Sequence, residues 1–178
     1  PGTEPHDTYV IVNGTGPVRD FQRIFDPIPI RIMHHDNSAK DVGAFWSASH
    51  RIECDVLVCL GAHVHFHRKN WLDRMIDAYL GHGPGLYGCW GYAEPAPHIR
   101  TTAFWLPPVL LATYPHDLSK RYEFEHGKKT SLLQWALRGG FPVAQVGWNR
   151  VLEHGKFDHQ PQEECLVLDQ HTDRLAFV

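Results

Sequence analysis

The sequence predicts an α/β domain in which a mostly parallel central sheet is flanked by helices. Three observations carry that expectation. Short apolar, β-rich runs recur at 8–13, 28–33 and 55–60. Two amphipathic segments with capping residues, 71–80 and 130–139, have helical periodicity. Their order is strand, turn, strand, helix, buried strand, helix, irregular insert, helix, strand, the alternation that layers helices on a sheet. A single domain over 1–178 accommodates the whole chain.

The first run, Thr8 to Asn13, ends in the turn cluster Asn13-Gly14-Thr15-Gly16-Pro17. Ile28 to Met33 alternates, and Pro29 places it near a sheet edge. Asn37-Ser38 is a capping pair ahead of Val42, Phe45 and Trp46 at helical spacing. Asp55 to Leu60 is continuously apolar after its first residue, as expected of a central strand covered on both faces. Asn70 then precedes Trp71, Leu72, Met75, Ile76, Tyr79 and Leu80 on one helical face, with Gly81 as the stop. Residues 81–108, rich in Gly, Pro and aromatics, read as short strands and loops, with a strand at 101–106. Thr130 is the expected cap of the next helix, Gly139-Gly140 its end, and 142–148 the following strand. The residues after 150 read as a polar, His-rich tail with one strand-like run, Cys165 to Leu168.

Composition narrows the function. The chain is 43% hydrophobic and 21% charged, with formal net charge −3, so a broad electrostatic grip on nucleic acid is not indicated. No apolar run reaches the roughly 18 residues of a membrane span, and the first residues carry no basic-then-apolar signal. The four cysteines form no C-x-x-C pair; they read as buried thiols of a reducing compartment, and a cytoplasmic location is expected. The outlier is histidine, with 14.

In open α/β sheets, ligands bind beyond the carboxyl ends of the strands, and Asn13-Gly14, His34 to Asn37 and Gly61 to His65 each lie just past a strand end. The helix start after Asn37, with Lys40 and Asp41, suits anionic groups. In an extended chain His63, His65 and His67 share one face, and imidazoles so placed make a metal site. Glu123 and Glu125 would also share a face if extended, and one of them could act as a general base. The tail holds His154, Asp158, His159, Asp169 and His171, any of which could close over a site as a late ligand.

Taken in order, these segments resemble the nucleotide-sugar-dependent glycosyltransferases of GT-A fold, in the large inverting group. The resemblance rests on Val-Ile-Val-Asn13-Gly14-Thr15, on Asn37-Ser-Ala-Lys40-Asp41-Val-Gly43-Ala44, on the buried strand running into Leu60-Gly61-Ala62-His63, and on the helix opening Trp71-Leu72. It covers residues 8–80 well and 85–148 more loosely. It implies a Rossmann-like sheet, with 8–80 as the nucleotide-sugar half, 81–150 as the acceptor half and 151–178 as a tail. The donor would meet Asn13, Gly14, Asn37, Lys40, Asp41, Gly61 and Ala62. The acceptor would pack against Trp90, Tyr92, His98 and Thr102. Glu125, with Glu123 as rival, would take the acceptor's proton. A divalent ion, Mn²⁺ or Mg²⁺, is implied near the donor phosphates, with His63, His65, His154 and His171 as candidate ligands.

Two departures from the family pattern matter. Its Asp-x-Asp metal motif is Gly61-Ala62-His63 here, so the metal preference is softer or the metal dispensable. Its first strand and helix would precede residue 8. The acceptor class stays open among polysaccharide, protein, small molecule and modified nucleic-acid base. Two other functions compete: a domain that binds a sugar, a nucleotide or a partner protein without turnover, and a hydrolase built on a metal held by the 63–67 histidines.

Overall fold

The computed structural model describes residues 4–16, 23–26, 29–92 and 97–169. Strands β1 (Thr8–Asn13) and β2 (Ile30–His35) form a two-stranded parallel ladder, with Thr8 opposite Ile30 and Asn13 opposite His35. Helix α1 (Lys40–Arg51) follows and packs on both strands. Then come β3 (Leu57–Leu60), β4 (Val64–His65) and α2 (Trp71–His82), and next β5 (Leu86–Gly88), β6 (Gly91–Tyr92), β7 (His98–Ile99) and β8 (Ala103–Leu106). The chain continues through α3 (Pro108–Ala112), α4 (Arg121–His126), α5 (Leu132–Arg138), β9 (Val143–Val146), β10 (Val151–Glu153) and β11 (Leu168–Asp169).

The main sheet has five strands in the order β10-β9-β5-β8-β3. Period-2 alternation divides it between two cores. On β8, Phe104 and Leu106 face one core while Ala103 and Trp105 face the other; Leu86 and Tyr87 on β5 split in the same way. Helices α1, α3, α4 and α5 cover the first face with Val42, Leu110, Phe124 and Leu133; α2 and the segment 165–168 cover the second with Met75, Tyr79 and Leu166. Burial on both faces is why β8 reads Ala-Phe-Trp-Leu with no polar residue.

The α/β class therefore holds, but the mostly parallel sheet does not. Of the pairings in the five-stranded sheet only β5–β9 is parallel; β3–β8, β5–β8 and β9–β10 are antiparallel. A parallel neighbour needs a crossover connection, usually a helix. The Gly/Pro/aromatic stretch between β5 and β8 instead folds back through the β6–β7 pair, so β8 returns antiparallel beside β5. Two further expectations change. The strand at 57–60 is covered on both faces, yet it pairs only with β8 and forms the sheet's edge among the described residues. Strands β1 and β2 form their own ladder rather than joining the central sheet. Residues 151–169 are not a solvated tail: Phe157, Gln160 and Cys165 to Asp169 are buried, and β11 pairs with β4.

Caps also differ from expectation. Ser131, not Thr130, caps α5, its hydroxyl accepting from the Gln134 N–H. Asn70 and Ala39 precede α2 and α1 with left-handed backbone and no side-chain cap. The Ser38 hydroxyl donates instead to Asp36 at 2.6 Å.

Gly43, inside α1, fixes the loop before the helix, because a Cβ there would lie 2.0 Å from the Ser38 carbonyl oxygen. The backbone of 38–39 must move to admit a methyl group, so Gly43→Ala should cost about 1–3 kcal/mol. Gly81, in α2, has nothing within 4 Å of that position, so Gly81→Ala should instead stabilise by about 0.5–1 kcal/mol. Thermal denaturation of both variants checks the opposite signs.

Candidate functional site

An open cleft of ≈ 350 Å³ is lined by Tyr92, His98, Arg100, Thr102, Arg121, Glu125 and His126. It lies where the chain enters β8, and three elements bring its walls together. Tyr92 and His98, from the β6–β7 pair, stack with ring centroids 5.2 Å apart. Arg100 and Thr102 come from the turn into β8. Arg121, Glu125 and His126 come from α4. Arg121 and Glu125 are four residues apart on a helix and share one face.

Glu125 reaches across to that turn: its Oε1 accepts the Thr101 backbone N–H at 3.1 Å. The His126 ring lies beside it, with Nε2 3.8 Å from Oε2, too long for a hydrogen bond. Arg121 ties three segments together. It donates to Asp41 Oδ1 at the start of α1 and to Thr101 Oγ1, both at 3.1 Å. Arg100 lies over the Trp90 ring, 5.3 Å from its centroid, and pairs with the buried Asp169 at 3.0 Å. Both arginines are thus oriented by carboxylates yet keep N–H donors beyond those bonds. Burial first, and then the neighbouring His98, lower the His126 pKa from its ordinary value, against the opposing pull of Glu125. That shift favours the neutral imidazole.

The structure brings several sequence-predicted residues together. Glu125, Tyr92, His98 and Thr102 line the cleft. Asp41 reaches it through Arg121, and Gly61 through the bond from its N–H to the Thr102 carbonyl, 2.8 Å. Other predicted residues stand apart. Asn13 Oδ1 accepts from His35 Nδ1 at 2.9 Å, and the Gly14 N–H bonds to the His35 carbonyl, closing the end of the β1–β2 ladder. Asn37 and Lys40 are exposed residues with positive φ, 70° and 55°. Trp90 is a buried platform under Arg100 rather than a lining residue. Glu123 lies in α4, not in a strand, so it does not share a face with Glu125; its Oε2 accepts from the Thr130 hydroxyl at 2.8 Å.

Among the described residues the expected metal ligands do not converge. Ala62 and His63 are exposed in the turn between β3 and β4. His65 lies on β4, while His67 has left the strand and meets the edge of Trp148. His154 bonds through its N–H to the Val143 carbonyl, at the start of β9, whereas the cleft lies at the opposite end of the sheet, beyond Leu60 and Gly88. His171 lies outside the described residues. Mg²⁺ and Mn²⁺ favour oxygen donors, and Gly61-Ala62-His63 offers no carboxylate, so this donor set does not fit the implied ion.

Sequence reasoning missed Arg100, Arg121 and His126 as lining residues. The signal for Arg121 was its i,i+4 spacing from Glu125, which a six-residue helix is too short to announce by periodicity.

No protein-family model matches the chain, and no curated protein matches it. Among solved structures, the crystal structure of HddC from Yersinia pseudotuberculosis is similar with a TM-score of 0.46 and 12% identity, over 61% of this chain and 59% of that one. The chain thus spans about three-fifths of that protein's length, and a likeness at that score carries no argument about function. Among the described residues no helix is long and apolar enough to cross a membrane.

Proposed function

We propose that the chain is a transferase that moves a sugar from a nucleotide-sugar donor to an acceptor hydroxyl with inversion, with Glu125 as the general base. The observation that supports this most is convergence. Glu125 opens into the same cleft as Tyr92, His98 and Thr102, and the Thr102 carbonyl holds Gly61 of the donor loop. Residues that the resemblance divides among base, acceptor and donor thus meet at one sheet end.

The acceptor oxygen attacks the anomeric carbon while the bond to the nucleoside diphosphate breaks, and the hydroxyl proton passes to Glu125. The departing diphosphate carries negative charge, and Arg121 and Arg100 supply N–H donors oriented by Asp41 and Asp169. Charge-assisted bonds of this kind stabilise developing anionic charge. The stacked Tyr92 and His98 rings give a flat surface for a sugar face. The buried thiols of Cys59, Cys89 and Cys165 are unpaired, which fits a reducing, cytoplasmic setting.

A melting-temperature screen against nucleotide sugars, with and without Mn²⁺, tests the donor. At a hundredfold excess over Kd a native-state ligand adds about 2.7 kcal/mol, a rise of roughly 5–10 °C for a chain of this size. The shift should be independent of Mn²⁺ and absent in Arg121→Ala. If no nucleotide sugar moves the parent's melting temperature, the proposal fails.

A further inference from the structure

We infer that His98, Glu125 and His126 form a three-ligand site for a zinc-class transition-metal ion in the wall of the cleft. One ligand atom from each lies within 4.8 Å of the other two, and among the described residues no other group of His, Cys, Asp and Glu converges in this way. His98 is 5% exposed, and its ring meets that of His126 edge-on at 4.1 Å.

Two features of this cluster favour a cation. The first is the state of His126: Nδ1 is buried with no hydrogen-bond partner among the described residues, and Nε2 stands 3.8 Å from Glu125. Neither ring nitrogen of His126 is thus engaged in a hydrogen bond among the described residues, so a lone pair on the ring is available to a metal. The second is charge. Asp41 and Asp169 are each matched by an arginine, whereas Glu125 faces an imidazole and a backbone N–H.

Two imidazoles and one carboxylate form a donor set typical of zinc, with an open fourth position; the nitrogen majority disfavours Mg²⁺ and Ca²⁺. Zinc bonds of about 2.0–2.2 Å place tetrahedral donors about 3.3–3.5 Å apart, so groups within 4.8 Å of one another close in by at most about 1.5 Å. Glu125 and His126 lie at the end of the short helix α4 and reach that spacing by side-chain rotation. Arg100 and Arg121 line the same cleft, so a fourth position open to it would take water or an anionic group. A further consequence rests on the transferase proposal: metal on Glu125 withdraws the oxygen that would accept the proton, so the loaded protein is inhibited.

Calorimetric titration of the chelator-stripped full chain with Zn²⁺ tests the site directly. One tight equivalent is expected, weakened at least tenfold in His126→Ala and in Glu125→Ala. Circular dichroism checks that both variants are folded; His126 and Glu125 tolerate change better than the deeply buried His98. A triple His63→Ala, His65→Ala, His67→Ala variant should keep the tight equivalent. Absence of Zn²⁺ binding, unchanged binding in His126→Ala and Glu125→Ala, or loss of binding in the triple variant would overturn the site. Binding is read without any turnover, so the site stands or falls apart from the transferase proposal. In a preparation that transfers sugar, one equivalent of Zn²⁺ should suppress transfer, and an undiminished rate in the loaded protein would overturn the inhibition.

Discussion

Glu125→Gln should lower single-turnover sugar transfer by about 10²–10⁴, the worth of a positioned general base, while leaving donor affinity nearly unchanged. The substitution is conservative where the structure needs it to be. The glutamine carbonyl oxygen can still accept the Thr101 N–H that Glu125 Oε1 accepts at 3.1 Å, so the cleft wall between α4 and the turn into β8 stays in place. What is lost is a group able to take a proton. The matching variant Glu123→Gln should transfer at the parent rate. Glu123 is exposed, and its contact is the Thr130 hydroxyl, which a glutamine carbonyl also accepts. If Glu123→Gln loses the activity instead, or if both variants match the parent, Glu125 is not the base.

The largest expected effect on stability is that of Trp105→Ala. Trp105 is fully buried in the middle of β8, between Val58 on β3 and Tyr87 on β5. Its ring stacks on that of Tyr87 at 5.9 Å with the planes 20° apart. Removing a large buried aromatic costs the transfer term plus the cavity left behind, about 3–5 kcal/mol. For a chain of this size the melting temperature should fall by roughly 6–20 °C. Val109→Ala is the control: Val109 is 56% exposed on α3 and should change stability by less than about 0.5 kcal/mol. A Trp105→Ala protein that melts with the parent would mean that β8 is not the shared centre of the two cores.

Much of the fold was legible in local pattern. The helix from Trp71 is visible because three turns of apolar residues at i, i+3 and i+4 repeat one face, and β1, β2 and β3 because short β-rich apolar runs end in turn residues. The apolar run into Leu60 also revealed that both its faces are covered, since alternation disappears when there is no solvent side. That run could not reveal its place in the sheet. Coverage of faces and pairing of edges are separate properties, and only the return of β8 makes β3 an edge strand.

The site divides in the same way. The resemblance, not the sequence pattern, gave Trp90, Tyr92, His98 and Thr102 as acceptor residues and preferred Glu125 as the base; the sequence by itself offered only the acid pair Glu123 and Glu125. It could not separate Glu123 from Glu125, because that depends on whether residues 121–126 are extended or helical, and a six-residue helix is fixed by packing rather than by periodicity. Phe124 enters the core, and that burial turns Glu125 toward the cleft and leaves Glu123 at the surface. Nor could it place Arg100 on Trp90, or Arg121 between Asp41 and Thr101, since Arg121 and Asp41 are 80 residues apart. Contacts of that range leave no spacing signal in the chain; they exist only because α1, α4 and the turn into β8 pack at one end of the sheet.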